Sequence, residues 1–384
     1  MTTRLRKERP GRFALGARIL APFERDLTRN VLLLTALLIG ILALIDAAWA
    51  RGRPQPPPPP PAPDSPPARF GHGFASNGGT TSADSKLYLF GGDPAIATSS
   101  ELLNDLWLYQ IDSVKKWTLV PVGKNKPPGL SGMGWACGGG RCVSATGIRD
   151  GKGASDTWIF TESVSSWSKV DCKRAFCPSA RFASVLAWDP DNREFILFGG
   201  AQDCYRGGNQ GCGRTTYNDT YTLSGTIWTA ESPGTKPPAR EQAAATYVPG
   251  RGVVLFGGAI SDELLCDMYV WDGNSWTAIT QTAGPCLWDA DMVWEPDLTA
   301  PGGGRIAVVG GYSSSGPNDD VWYFTFGSGD SGTWTKGSPL ACTSGVIPTA
   351  ARMAREQTVT GRKVFFGGIL PGTDTVTDAT IVCY

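Results

Sequence analysis

Five short apolar runs, each closed by a pair of glycines, punctuate the chain: YLFGG to Gly92, ILFGG to Gly200, VLFGG to Gly258, AVVGG to Gly311 and VFFGG to Gly368. A sixth run, CVSATG, ends at Gly147 and keeps one glycine of the pair. The intervals between copies are 52 to 58 residues, the length of four short strands with their turns. Ahead of each run lies a segment opened by proline and often arginine: PPARFGHGFA, PPGLSGMGWA, PSARFASVLAW, PPAREQAAATY, GPCLWDADMVW and AREQTVT. Behind it comes a strand led by aspartate in which large apolar and polar residues alternate: NDLWLYQI, SDTWIFT, NDTYTLS, CDMYVWD, DDVWYFT and TDATIVC. Alternation places the rings on one face of a pleated strand. A fourth strand opens at Trp117, Trp167, Trp228, Trp276 and Trp334 in five of the six copies.

A four-stranded sheet with two apolar faces cannot bury both by itself, so such units stack radially and share aromatic cores. Paired glycine followed by a spaced aromatic and a tryptophan resembles the kelch repeat, and the resemblance covers residues 66 to 384. It implies an all-β fold, a six-bladed kelch-type β-propeller over residues 68–384. Because the chain stops after the third strand of the last copy, that blade is expected to have three strands, with Thr377 to Tyr384 as an exposed edge. Arg69, Arg181, Arg240 and Arg355 recur at one repeat position and Asp105, Asp156, Asp219, Asp267, Asp320 and Asp378 at another. Recurrence points to structural pairing. Copies two and five carry Leu130 and Leu287 near the arginine position.

The first 67 residues are of another kind. Residues 1–30 form a basic segment, and the fifteen residues Val31 to Ile45 carry no charge. Extended to Ala50, the run reaches the length of a bilayer span. The sequence therefore predicts one N-terminal transmembrane helix at residues 31–50, acting as a signal anchor, with the alternative of a signal peptide cleaved after Ala48-Trp49-Ala50. The basic flank places the N-terminus in the cytoplasm and the propeller outside it, tethered to the membrane in the periplasm or at the cell surface, or secreted if the signal is cleaved. Residues 51–67 read as a proline-rich linker. Residues 66 to 384 hold 25 basic and 30 acidic side chains, so no basic excess exists to bind nucleic acid.

All ten cysteines follow this linker. Local spacing pairs Cys137 with Cys142, Cys172 with Cys177, Cys204 with Cys212, Cys266 with Cys286, and Cys342 with Cys383. No C-x-x-C pair exists and the chain has a single histidine, His72, so neither a metal nor a cofactor is expected. Copper-radical oxidases that share this architecture need two histidine ligands, which one histidine cannot supply. Ser328 to Trp334 comes near a sialidase Asp-box turn but is one residue short.

Strand parity puts the connections between strands two and three on the same face as those between blades. The candidate binding residues on that face are Asp203, Tyr205, Arg206, Asn209 and Gln210 on one cysteine-bounded loop and Lys173, Arg174 and Phe176 on another. The expected function is recognition of a glycan or protein without catalysis. A carbohydrate-active propeller, sialidase-like or a sugar epimerase or lyase, is the enzymatic alternative. A structural subunit of an envelope assembly is the third.

Overall fold

The computed structural model describes residues 63–79, 84–95, 101–114, 116–173, 176–202, 214–297, 303–338, 340–343, 352–355, 361–370, 373 and 375–383. Residues 62–384 form one compact unit. The expected span at residues 31–50 lies outside the described residues. Among those described, no helix is long and apolar enough to cross a membrane.

The strands assemble as the repeat dictates. Blade 1 consists of Gly73–Ser76, Leu87–Phe90, Leu106–Tyr109 and Trp117–Leu119, paired in sequence order and antiparallel throughout. Blade 2 uses Gly134–Gly138, Arg141–Ala145, Thr157–Thr161 and Ser166–Lys169. Blade 3 uses Val185–Asp189, Glu194–Phe198, Thr220–Ser224 and Ile227–Glu231. Blade 4 uses Ala244–Val248, Gly252–Phe256, Met268–Trp271 and Trp276–Ala278. Blade 5 uses the longer strands Trp288–Pro296 and Gly304–Ser313, then Trp322–Phe326 and Ser331–Lys336. A short parallel strand, Thr280–Gln281, covers its outer edge.

The expected count of six blades is corrected to five. The sixth repeat yields a three-stranded sheet of Arg352–Arg355, Lys363–Phe366 and Thr380–Cys383. Its outer edge is not bare, as the sequence suggested. Cys342 forms a β-bridge and a disulfide with Cys383, and Thr343 accepts the Val382 N–H on its hydroxyl while donating its own N–H to the Val382 carbonyl. The segment entering the sheet thus blunts the edge that a fourth strand would cover. In register, Arg352 stands opposite Phe366 where Ala244 stands opposite Phe256, so Arg355 sits at the far end of its strand and is not the equivalent of Arg240.

The paired glycines of blades 1, 3 and 4 and of the last sheet make blade-to-blade contacts. A Cβ on Gly199 would lie 2.4 Å from the carbonyl oxygen of Arg240 in the next blade, and one on Gly367 would lie 2.4 Å from that of Arg69. The second glycine then donates its N–H to the same carbonyl, Gly200 to Arg240 and Gly368 to Arg69, both at 2.8 Å. Glycine is required here because both positions have positive φ and no room for a side chain. Since Gly368 belongs to the last sheet and Arg69 leads into blade 1, the ring closes with the bond used at its interior joints. The tryptophans repeat the lesson. Trp228 and Trp276 donate their indole N–H to Thr157 and Thr220 of the preceding blade, and Trp117 donates to Thr380 of the last sheet at 2.9 Å. Adjacent basic residues reach both neighbours of that sheet: Arg362 makes a bidentate pair with Asp112 of blade 1, and Lys363 pairs with Glu295 of blade 5.

The recurring arginines are structural, as their recurrence implied. Arg69, Arg181 and Arg240 are fully buried and bridge Asp105, Asp219 and Asp267 with two nitrogens each, while also donating to the carbonyls of Gly91, Gly199 and Gly257. The two copies with leucine use another cation. Lys169 reaches Asp156 at 2.8 Å and Lys336 reaches Asp320 at 2.7 Å, each from the residue two places after the blade's strand-four tryptophan. The copies with arginine carry Leu119, Ala230 and Ala278 at that position.

Candidate functional site

The five innermost strands and Arg352–Arg355 contact one another in a closed cycle around a central channel. The cavity at its core has a volume of about 890 Å³. Just before the inner strands of blades 1 to 4 and at the second residue of that of blade 5, two residues after the recurring arginine or leucine, the backbone turns left-handed: Gly71, Gly132, Ala183, Gln242 and Asp289 have φ of 60, 58, 55, 53 and 56°. This conformation aims each N–H at the previous blade. Gly132 donates to Gly71, Ala183 to Gly132, Gln242 to Ala183 and Asp289 to Gln242, over 2.7 to 2.9 Å. The result is a hydrogen-bonded arc of main chain around the channel, and all five residues line the cavity.

Over this arc stands a collar of half-buried apolar side chains that also line the cavity: Phe70, Ile148, Phe182, Trp288, Tyr312 and Ile369. They come from blades 1, 2, 3 and 5 and from the last sheet. Their positions follow from the strand two to strand three connections, several of which fold as two-stranded ribbons. Ile148–Arg149 pairs with Lys152–Gly153, Ala201–Gln202 with Thr215–Thr216, Ala259–Ile260 with Glu263–Leu264, and Tyr312–Ser313 with Gly316–Pro317. Bridges from Ser131 to Ile148 and from Phe182 to Ala201 tie these ribbons to the residues that precede the arc. The ring of Trp288 lies 5.2 Å from that of Tyr312.

One ion pair interrupts the apolar collar. Arg214 binds Glu241, whose side chain is 5% exposed, and its guanidinium lies 5.5 Å from the ring centre of Phe182. A carboxylate so far from water is sustained by its cation, so Arg214 is fixed in place as part of the wall. Asp291 lines the cavity one strand step below Asp289. His72 also lines it, buried and edge-on to Phe366 at 5.7 Å. No group of three or more metal-ligating side chains occurs among the described residues.

Of the candidate residues named from sequence, Lys173 and Phe176 are exposed on the Cys172–Cys177 loop, Phe176 at 79%, and neither lines the channel. Arg174, Asp203, Tyr205, Arg206, Asn209 and Gln210 lie outside the described residues, as does the Cys204 and Cys212 pair. The pairs Cys137–Cys142, Cys172–Cys177, Cys266–Cys286 and Cys342–Cys383 are bonded. The collar and the arc were missed. The signal for them was present: Phe70, Phe182 and Trp288 and the arc residues are the first and second residues after the recurring arginine or leucine, and Ile148, Tyr312 and Ile369 directly follow the glycine that closes strand two.

Residues 55–200 match the KLHDC2/KLHL20/DRC7 Kelch-repeats domain model. Among curated proteins, the chain is 33% identical over 113 residues to dynein regulatory complex subunit 7 of Chlamydomonas reinhardtii, covering 29% of this chain and 9% of that protein. It is 24% identical over 270 residues to putative adagio-like protein 2 of Oryza sativa subsp. japonica, covering 64% of this chain and 39% of that one. The chain thus spans well under half the length of these two relatives. The membrane-tethered, extracytoplasmic placement expected from sequence is corrected. Among the described residues no helix is long and apolar enough to cross a membrane, and one relative is a dynein regulatory complex subunit. The recurring glycine pairs, the ring of radial sheets and the family match together support a kelch β-propeller.

Proposed function

We propose that this chain is a protein-interaction module that receives a partner at the mouth of its channel. The observation that carries the reading is the collar: six half-buried apolar side chains from five sheets converge over one cavity, held by ribbons that are bridged to the scaffold. Aromatic anchors set in a concave, preformed site are what protein recognition uses, because they bury area at small entropic cost. The collar offers apolar rings around one fixed ion pair, which suits a peptide segment better than a sugar rich in hydroxyls. The relative named as a complex subunit points the same way.

The test is site-directed photocrosslinking. A benzophenone amino acid replaces Phe182 in the collar or Ile227, which is 64% exposed on the strand three to strand four turn of blade 3 and therefore on the opposite face. Protein adducts are expected from position 182 and not from position 227. Equal yields from the two positions, or none from 182, would overturn the proposal.

A further inference from the structure

We infer that the last sheet takes up an extended segment of a partner protein along its outer edge when the Cys342–Cys383 bond is reduced, a site separate from the channel mouth. The five blades each carry a fourth, antiparallel strand, whereas the sheet of Arg352–Arg355, Lys363–Phe366 and Thr380–Cys383 carries three. In its outer strand Val382 turns its N–H and C=O away from the sheet, toward Thr343. Residues of an antiparallel strand face alternate sides, so Thr380 turns the same two groups outward. Among the described residues no group bonds to them.

Thr380, Ile381 and Val382 are all β-branched, and the strand has neither charge nor proline, two devices that keep an edge from pairing. Donors and acceptors repeated every second residue fit an extended main chain. What closes the edge is the stub at Cys342 and Thr343, which occupies the Val382 end. A strand pairing with both Thr380 and Val382 has to displace it, and the disulfide forbids that. Once the bond is broken, the stub is held by the two Thr343 hydrogen bonds and by the packing of half-buried Leu340 and Cys342. Cys383 is fully buried and Cys342 half-buried, which directs an external dithiol to Cys342. Its thiolate attacks the Cys342 sulfur, and Cys383 leaves as a thiolate and takes up a proton. The second thiol of the reductant then displaces Cys342, so the reductant departs as a disulfide and the protein holds two thiols.

The probe is a fluorescein-labelled peptide of residues 224–233, SGTIWTAESP, which contains the fourth strand of blade 3. Its binding to the full chain is titrated by fluorescence anisotropy, and hydrogen exchange at the Thr380 and Val382 amides locates it. The proteins compared are the oxidised wild type, the wild type in dithiothreitol, Cys342→Ala/Cys383→Ala and, as control, Cys137→Ala/Cys142→Ala, whose bond lies within the inner hairpin of blade 2. Cys342→Ala/Cys383→Ala and the reduced wild type are expected to bind about tenfold tighter or more than the other two. In both, the peptide should slow exchange at Thr380 and Val382. A peptide carrying Thr229→Pro and Ala230→Pro, which lacks two consecutive N–H groups, should lose this binding. Equal affinity of the oxidised wild type and Cys342→Ala/Cys383→Ala would overturn the latch. No binding by that variant, unchanged binding of the proline peptide, or exchange at Thr380 and Val382 unaffected by bound peptide would overturn the strand site.

Discussion

Replacing Arg240 by leucine, the residue that copies two and five already carry, tests how the blades are held. The Arg240 side chain is 0% exposed and Asp267 is 35% exposed. The guanidinium donates to Asp267 at 2.7 and 3.0 Å, to Gly257 at 2.9 Å and to Pro238 at 3.1 Å. Breaking a buried pair costs about 3 to 5 kcal/mol when the abandoned charge stays dry. Asp267 keeps some water and leucine restores apolar burial, so we expect about 2 to 3 kcal/mol, or about 3 to 6 °C for a unit of this size. The second variant, Ala278→Lys, places a lysine two residues after Trp276, at the register from which Lys169 and Lys336 reach Asp156 and Asp320. Those lysines are about half exposed, so the new pair should return about 1 kcal/mol in the Arg240→Leu background and close to nothing in the wild type, where Asp267 is occupied. A double-mutant cycle from urea melts therefore yields a coupling of about 1 kcal/mol, beyond the roughly 0.3 to 0.5 kcal/mol scatter of independent sites. Equal effects of Ala278→Lys in both backgrounds would refute the exchange of one cation for the other.

Two further outcomes follow from the same structure. The Cys342–Cys383 bond closes 41 residues and Cys137–Cys142 closes five; loop-closure entropy assigns them about 4 and about 2 kcal/mol. Double alanine replacement should therefore lower the melting midpoint more for the first pair and also speed hydrogen exchange at the Val382 amide, and a larger loss for Cys137–Cys142 would contradict this. Burial first, then the charges of Asp189 and Glu231, push Glu194 up to about 7. A carboxyl raised in the folded state binds more protons there than in the unfolded chain, so stability falls as pH rises from about 4.5 to about 7. Glu194→Gln should flatten that slope and raise the melting midpoint at pH 8, with no gain at pH 4; a gain at pH 4 equal to that at pH 8 would argue against the charge as the cause.

Much of the fold was legible because its determinants recur. Gly199 and Gly367, more than one hundred and fifty positions apart in sequence, lie against the same kind of carbonyl at the same 2.4 Å. The aspartate positions were legible too, but half of their chemistry was not. Leu130 and Leu287 read as erosion of the pattern, whereas Lys169 and Lys336 compensate for them from another strand. The last repeat misled twice. AREQTVT aligns with PPAREQAAATY by letter, yet strand pairing sets Arg352 where the letters set Val359, because apolar Val364, Phe365 and Phe366 fix the register by burial. The outer edge of that sheet was expected to be exposed and is instead met by a two-residue stub at Cys342 and Thr343. The binding loops were chosen by length, charge and cysteine spacing, which are properties of single loops. The collar is a property of the ring, assembled from one or two residues of each of five repeats, so no single copy displays it.

A repeat protein offers its own separation of structure from function. Where six near-copies must solve one packing problem, the solution recurs or is exchanged for an equivalent, as arginine is exchanged for lysine around Asp156 and Asp320. A ligand lacks that symmetry, so the residues that touch it have no reason to agree between copies. The first two positions after the recurring arginine or leucine follow this logic. At the second of them the backbone is uniform, with φ held between 53 and 60° and the same hydrogen bond passed from blade to blade. Their side chains diverge: Phe70-Gly71, Ser131-Gly132, Phe182-Ala183, Glu241-Gln242 and Trp288-Asp289. Constant geometry with changing chemistry, facing a cavity of about 890 Å³, is what a rigid ring presents when each blade contributes a different contact to a partner of no symmetry.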